Sequence, residues 1–528
     1  MGRGPLARTL TRIASGLTAF GLAAAIVHSA SAAPVRQNDL AIDEIRQQVA
    51  QVRGLELKAE APVTPLARAA LVGKLSRELD APQTIREFLT SQMLLEVLGA
   101  MPRGFNLRQL QLQLLQEQTL ALYDYEDRVV YLVAEAAGDL GANERLVLAH
   151  EFTHALQDQH FSLRRILPRN PQNSDADMAA RALVEGDAML TMRIWGRQFL
   201  RPSDKRSLGD EPVQTDPVLD GAPLLVRGEV LFPYDAGWVF AQLLHQDGGY
   251  AAVDQAFLNP PKSTEHILHP EKYVAGEQPV NVTIAPLEQA LAGTWKTLRT
   301  DTFGELVLRL LLEPGVGWPD AEAAAAGWGG DVYTILEDES GRRIVGMVTV
   351  WDSDADAAEM YNAFVASIEA QFKTGAVRTI SQASLARWTT AEYQIQAIKT
   401  GKVVRIVYAP DAATMERAEE QLSAAIVGGA GPVAPRPTST STPAAVPSPE
   451  PGAPARATAT PKPAEPSDEP EGDGNAPDEP KPTPTATVQP TATPNVQRTP
   501  ASSGPPAQAT ASAEPMRPSQ PADPEEEE

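Results

Sequence analysis

Residues 150–161 read HEFTHALQDQHF. Two histidines four apart, with a glutamate directly after the first, are residue types that can hold a divalent cation and move a proton beside it. On an α-helix, residues four apart differ by about 40° around the axis, so His150 and His154 project from one face. Their imidazoles can then close on one ion about 2.0–2.1 Å from each nitrogen. Glu151 sits about 100° round the axis, and its side chain can reach the space beside that ion and serve as a base. With seven histidines in 528 residues, chance yields this pattern only about 0.01 times per chain.

Two ligands do not complete a catalytic zinc site, which takes three from the protein and leaves one position open. His160 is the nearest further histidine, but the intervening ALQDQ has no glycine to turn the chain back. It reads as a helix-terminal residue complementing the dipole. Glu185, in RALVEGDAML, is the better third ligand. It follows His154 by 31 residues, a normal gap for two packed antiparallel helices joined by a loop. A carboxylate among such apolar neighbours needs a partner, the alternative being a surface helix acid. Asp158, four residues after His154, either orients an imidazole from behind or is a plain exposed acid.

These side chains need a scaffold. Leu40, Ile42, Ile45, Val49 and Val52 recur with a period near 3.6 and predict a helix, with further helices over 66–79 and 85–98. ALYDYEDRVVYLV predicts a β-hairpin turning at Glu126 and Asp127. A helix capped by Asn143 is expected to run to His160, and another over 176–200, after the loop LPRNPQNSDAD. Beyond a mostly helical middle, RIVGMVTVW, LARWTT, YQIQAIK and VVRIVYA read as strands and DADAAEMYNAFVASIEAQF as a helix, with a last helix ending near Ile426. This predicts a small α+β layer with its helices on one face. GWGGD, at 327–331, reads as a glycine-rich turn entering a strand, with no phosphate-binding pattern.

Composition removes several classes of chemistry. The chain has no cysteine, so any metal must be held by imidazole and carboxylate. A net charge of −23 argues against nucleic acid or an anionic membrane as partner. Arg3, Arg8 and Arg12 precede an apolar run over 13–27 and the small residues Ala30, Ser31 and Ala32. This is the pattern of an export signal cleaved after Ala32, with an uncleaved anchor as the alternative. No later stretch is long and apolar enough to span a bilayer. Residues 431–528 hold 25 of the 46 prolines and no aromatic residue, the composition of a disordered, acidic Pro/Thr/Ala-rich tail.

His150, Glu151, His154 and the distant Glu185 resemble the gluzincin branch of zinc metallopeptidases. The match departs from thermolysin-like members, which carry Asp four residues after the third ligand; Met189 stands there, and Asp187 is expected to face elsewhere. More widely, ALYDYEDRVVYLV, HEFTHALQDQHF, ALVEGDA, STEHILHPEKY and AAAAGWGGDVY resemble a group of poorly characterised bacterial exported zinc-dependent proteases, over about 45–427. The resemblance implies an α+β architecture. A mostly helical zincin-like domain with a small sheet over 33–330 would be followed by a small α+β domain over 331–428 and the tail over 429–528.

It also implies an exported endopeptidase with a peptide or protein substrate. Zn2+ would be held by His150, His154 and Glu185, with Glu151 as general base and the strand over 129–133 as the edge that pairs with substrate. His269 and His266, with Tyr234 and Tyr273 behind them, are the candidates for stabilising the oxyanion. His245, in FAQLLHQ, reads as a core or interface histidine. Two other readings remain open. One is a non-catalytic envelope protein with a structural metal and a partner-binding C-terminal part. The other is an enzyme that cleaves its own N-terminal helices or tail.

Overall fold

The computed structural model of the chain describes residues 36–118, 120–133, 140–168, 173–210, 217–372 and 375–428. The expected export signal and the Pro-rich tail lie outside the described residues. Among the described residues no helix is long and apolar enough to cross a membrane.

The first half is built on four long helices. α1 (Arg36–Arg53) buries Ile45 and Val49, two residues of the apolar stripe read from the sequence. α2 (Ala142–Phe161) carries the HEFTH segment, and every residue from Leu146 to Gln157 is buried. A helix covered on all sides has neighbours on all sides, and α2 packs against α1, α3 and the hairpin. It begins one residue before Asn143, with Gly141 as its cap. α3 (Ser174–Phe199) is capped by the Asn173 side chain, which accepts from the Ala176 N–H at 2.9 Å. α4 (Leu224–Leu258) leaves helical geometry at Gly248 and at Gly249, where φ is 64°.

The hairpin forms as expected, from β2 (Ala121–Asp124) and β3 (Val129–Val133). The short strand β1 (Val63–Leu66) adds to β3 in parallel, giving the order β1-β3-β2. The strand over 129–133 is therefore the centre of this sheet and not the expected edge. β1 escapes a reading by alternation because it has four residues and contains Pro65.

The second half centres on a seven-stranded antiparallel sheet of order β5-β6-β7-β11-β10-β9-β8. Its strands are β5 (Trp295–Asp301), β6 (Trp328–Asp338), β7 (Arg343–Trp351), β8 (Val377–Ser381), β9 (Leu385–Thr389), β10 (Gln394–Thr400) and β11 (Val403–Ala409), while the two-residue β4 (Val282–Thr283) pairs outside it with Ile426 and Val427. β6 crosses the boundary expected at 330 and pairs with β5, so the sheet starts well before it. GWGGD does lead from a turn into a strand, but only Gly327 is in the turn: Trp328 already belongs to β6, and a side chain on Gly330 would strike the Val280 carbonyl. Asp331 accepts from the N–H groups of Phe303 and Gly304, both at 2.9 Å, and from the Trp328 indole at 3.0 Å. It clamps the start of α6 (Gly304–Val316).

The helices flank this sheet on both faces, not on one face as expected. Val345, Met347 and Trp351 of β7 share a core with Met360, Phe364 and Ile368 of α7 (Asp354–Phe372). Ile344, Val348 and Val350 of the same strand share another with Met415, Ala418 and Leu422 of α8 (Ala412–Ser423). The unbroken apolar run RIVGMVTVW carries that meaning, since a strand buried on both faces has no polar side to alternate with.

α3 and α4 meet backbone to backbone. A methyl group on Gly186 would collide with the Gly237 carbonyl, and one on Gly237 with the Ala182 carbonyl. Gly186 directly follows Glu185, so this contact sets where that carboxylate stands. Gly186→Ala is expected to destabilise the fold by about 3 kcal/mol, because neither carbonyl can move without its helix. Thermal unfolding of the purified variant beside the parent checks this.

Candidate metal centre

α2 presents His150 and His154 toward α3, where Glu185 faces them. His154 Nε2 lies 3.0 Å from His150 Nε2 and 3.4 Å from Glu185 Oε2, and His150 Nε2 lies 3.1 Å from that oxygen. A tetrahedron with corners about 2.0–2.1 Å from its centre has edges of about 3.3–3.4 Å. Three electron-pair donors at this spacing repel unless a proton or a cation lies among them. The burial is deep, with His150 1 % and His154 9 % exposed. Burial alone would lower the His154 pKa, but the Glu185 carboxylate outweighs it and brings the imidazole up to about 9. Burial likewise pushes Glu185 up, and the two histidines reverse this and hold it well below the usual carboxylate range. Two imidazoles and one carboxylate, each offering one atom, are a donor set that zinc accepts.

Glu151 lies beside this cluster, and its Oε2 accepts from the Tyr123 main-chain N–H at 2.7 Å. Tyr123 belongs to β2, and this N–H points away from β3 to Glu151. The Tyr123 hydroxyl donates to Asp158 at 3.1 Å, and Asp158 also accepts from the Leu163 N–H at 3.0 Å. Asp158 thus ties the hairpin to the end of α2 and does not reach an imidazole. That role falls to Gln157, whose Oε1 lies 2.8 Å from His154 Nδ1. Gln157 in turn donates to the Val184 carbonyl and to Asp187, both at 2.9 Å. Asp187, expected to face elsewhere, belongs to this network. Sequence reasoning missed Gln157 and Tyr123. The signal for Gln157 was an amide three residues after a ligand, within reach on a helix and buried among apolar groups.

The remaining histidines among the described residues are engaged in other ways. His160 donates to the Glu56 carbonyl at 2.7 Å, fastening the end of α2 to the segment after α1. His245 packs edge-on against Tyr250 with ring centres 4.7 Å apart. His266, in α5 (Thr264–Leu268), accepts from the Lys262 N–H at 3.2 Å and donates to the Glu277 carbonyl at 3.0 Å. Both ring nitrogens are used, so it has no donor left for a substrate. His269 Nε2 lies 2.9 Å from the buried Glu305, which raises its pKa. The loop that holds both is anchored by Thr264 to Asp175, about 15 Å of helix rise before Glu185. Tyr273 donates to the Asn259 carbonyl at 2.9 Å.

Of the four oxyanion candidates, only Tyr234 adjoins the cluster of His150, His154 and Glu185. Its ring lies 6.5 Å from that of His150 at an interplanar angle of 28°. Burial, with the charges of Glu185 and Glu151, pushes the phenol well above its ordinary value, so the hydroxyl remains a donor. A second group of acids, Glu265, Glu277 and Asp352, converges as well, but the Lys272 ammonium already pairs with all three, at 2.5, 3.5 and 2.8 Å.

A family model described as a domain of unknown function, DUF8575, matches residues 293–419, the region of the large sheet. No curated protein and no solved structure matches the chain.

The position of His266 has a consequence for stability. Burial lowers its pKa from 6.5 to about 4, so the unfolded chain takes up the proton first as pH falls. The fold keeps this contribution above pH 6.5 and loses it between about 6.5 and 4, to a total of about 3 kcal/mol. His266→Gln, which retains an acceptor and a donor, should flatten that part of the curve when denaturant stability is measured from pH 7 to pH 4.

Proposed function

We propose that this chain is an exported zinc-dependent endopeptidase of the gluzincin type, with a zincin-like catalytic part. The observation that carries the reading is the convergence of His150, His154 and Glu185 within 3.0–3.4 Å of one another, slightly tighter than the edges of a zinc tetrahedron, with Glu151 on the same helical turn. Zinc held by those three residues would supply Lewis-acid polarisation of a peptide carbonyl and would acidify water at its open position.

The protein's own groups do the rest. Glu151 takes a proton from water as the oxygen bonds to the carbonyl carbon, then gives it to the amine nitrogen as the C–N bond breaks. The Tyr123 N–H holds one oxygen of that carboxylate and leaves the other to face the water. Tyr234 donates its hydroxyl to the oxygen on which negative charge develops. An extended peptide pairs with the edge of β2 on either side of Tyr123, whose own N–H is kept by Glu151, and this brings its backbone beside that carboxylate. Export rests on residues 1–32 of the sequence, with their basic start and short apolar run.

Glu151→Gln should retain one zinc per chain and hydrolyse casein or a reporter peptide about 10²–10⁴-fold more slowly. A variant with both its metal and full activity would refute the mechanism, and a parent protein that binds zinc without hydrolysing any peptide would mark the centre as structural. Tyr234→Phe should lower kcat by about 10²–10³-fold with little change in KM, read from steady-state kinetics on the same peptide.

A further inference from the structure

His154 must present an unprotonated Nε2 to a metal, so its proton must sit on Nδ1. Nδ1 faces Gln157, and an amide can offer either its oxygen or its NH2 at that place. With the oxygen there, Nδ1 is the donor and Nε2 keeps its lone pair; the reversed amide would demand the opposite tautomer. The Gln157 amide is held in the first orientation because its NH2 end faces two acceptors, the Val184 carbonyl and Asp187 Oδ2. The Val184 carbonyl is fixed by α3. Asp187 is fixed by Arg53.

Arg53 is the last residue of α1, and its guanidinium is fully buried, as is the Asp187 side chain. Nε donates to Asp187 Oδ2 at 3.0 Å and Nη2 to Asp254 Oδ1 of α4 at 2.6 Å, while the group lies 4.6 Å from the centre of the Tyr250 ring. Paired with a guanidinium, the Asp187 carboxylate acts as an acceptor only, so it can only receive the Gln157 NH2. His150 has no equivalent support, since its Nδ1 is buried without a hydrogen-bond partner among the described residues.

We infer that Arg53 is a positioning residue for the metal centre, selecting the metal-binding tautomer of His154 through Asp187 and Gln157. The inference rests on the proposed zinc site and adds to it a partner 101 residues away in sequence. It also makes α1 a permanent part of the working protein. A cut that released residues 36–53 would take the guanidinium from Asp187 and leave a buried carboxylate alone.

The test separates metal binding from folding. Zinc affinity is measured by competition with a chromophoric chelator, and the cobalt-substituted protein is followed by its visible spectrum. Arg53→Met is expected to weaken zinc binding about 10–100-fold and to lower the melting temperature. Arg53→Met combined with Asp187→Leu removes the stranded charge and should recover much of the melting temperature. Because Gln157 then keeps only the Val184 carbonyl of its two acceptors, zinc affinity should stay about 10–100-fold low, with an altered cobalt spectrum. Arg53→Lys keeps a cation near Asp187 but loses the fork that also holds Asp254, so it should bind zinc more tightly than Arg53→Met and more weakly than the parent. Parent-like zinc affinity in Arg53→Met or in the double variant would overturn the inference and leave the zinc site standing. A parent protein that binds no zinc would overturn both.

Discussion

Three lone pairs, on two imidazole nitrogens and one carboxylate oxygen, are pressed within 3.0–3.4 Å of one another inside a protein that offers them little water. Left alone, such a group costs several kcal/mol, and a protein can carry it only if a cation or proton relieves it and the packing prevents it from spreading apart. Much of the first half of the chain supplies that constraint. α2 is buried over the whole stretch from Leu146 to Gln157, so its two histidines cannot turn outward. α3 is locked to α4 where Gly186 and Gly237 let two backbones touch, so Glu185 cannot withdraw.

The same packing explains how roles divide among similar residues. Glu185 and Glu151 are both glutamates beside the histidines, but one turns its carboxylate to their ring nitrogens and the other is held by a main-chain N–H of β2. Gln157 and Asp158 are adjacent on α2 and face different neighbours, one the histidine and α3, the other the hairpin. A rotation of about 100° per residue is enough to give consecutive polar side chains unrelated duties. Farther off, the loop with His266 and His269 serves the junction between α3 and the sheet region. Its Thr264 and Asp175 join it to the start of α3, and Glu305 joins it to α6.

The pairing of His150 with His154 was legible because it is local. The 3.6-residue period turns a spacing of four into a shared face, and the apolar neighbours of Glu185 marked it as a carboxylate in need of a partner. The hairpin and most long helices were legible for the same reason. What could not be read depends on contacts between distant segments. Nothing near Pro65 announces that β1 will cover β3 and move the free edge to β2. The two faces of the large sheet share one apolar run, which alternation cannot divide. His266 and His269 drew attention as histidines in a polar loop, while Tyr234, among apolar residues, stands beside the ligands because α4 passes there.

The most direct measurement is an anomalous difference map, at the zinc absorption edge, from crystals of the purified protein. The account predicts one peak about 2.0–2.1 Å from His150 Nε2, His154 Nε2 and Glu185 Oε2, with a fourth position taken by no protein atom. A fourth protein ligand at that peak, or zinc bound instead among Glu265, Glu277 and Asp352, would contradict it.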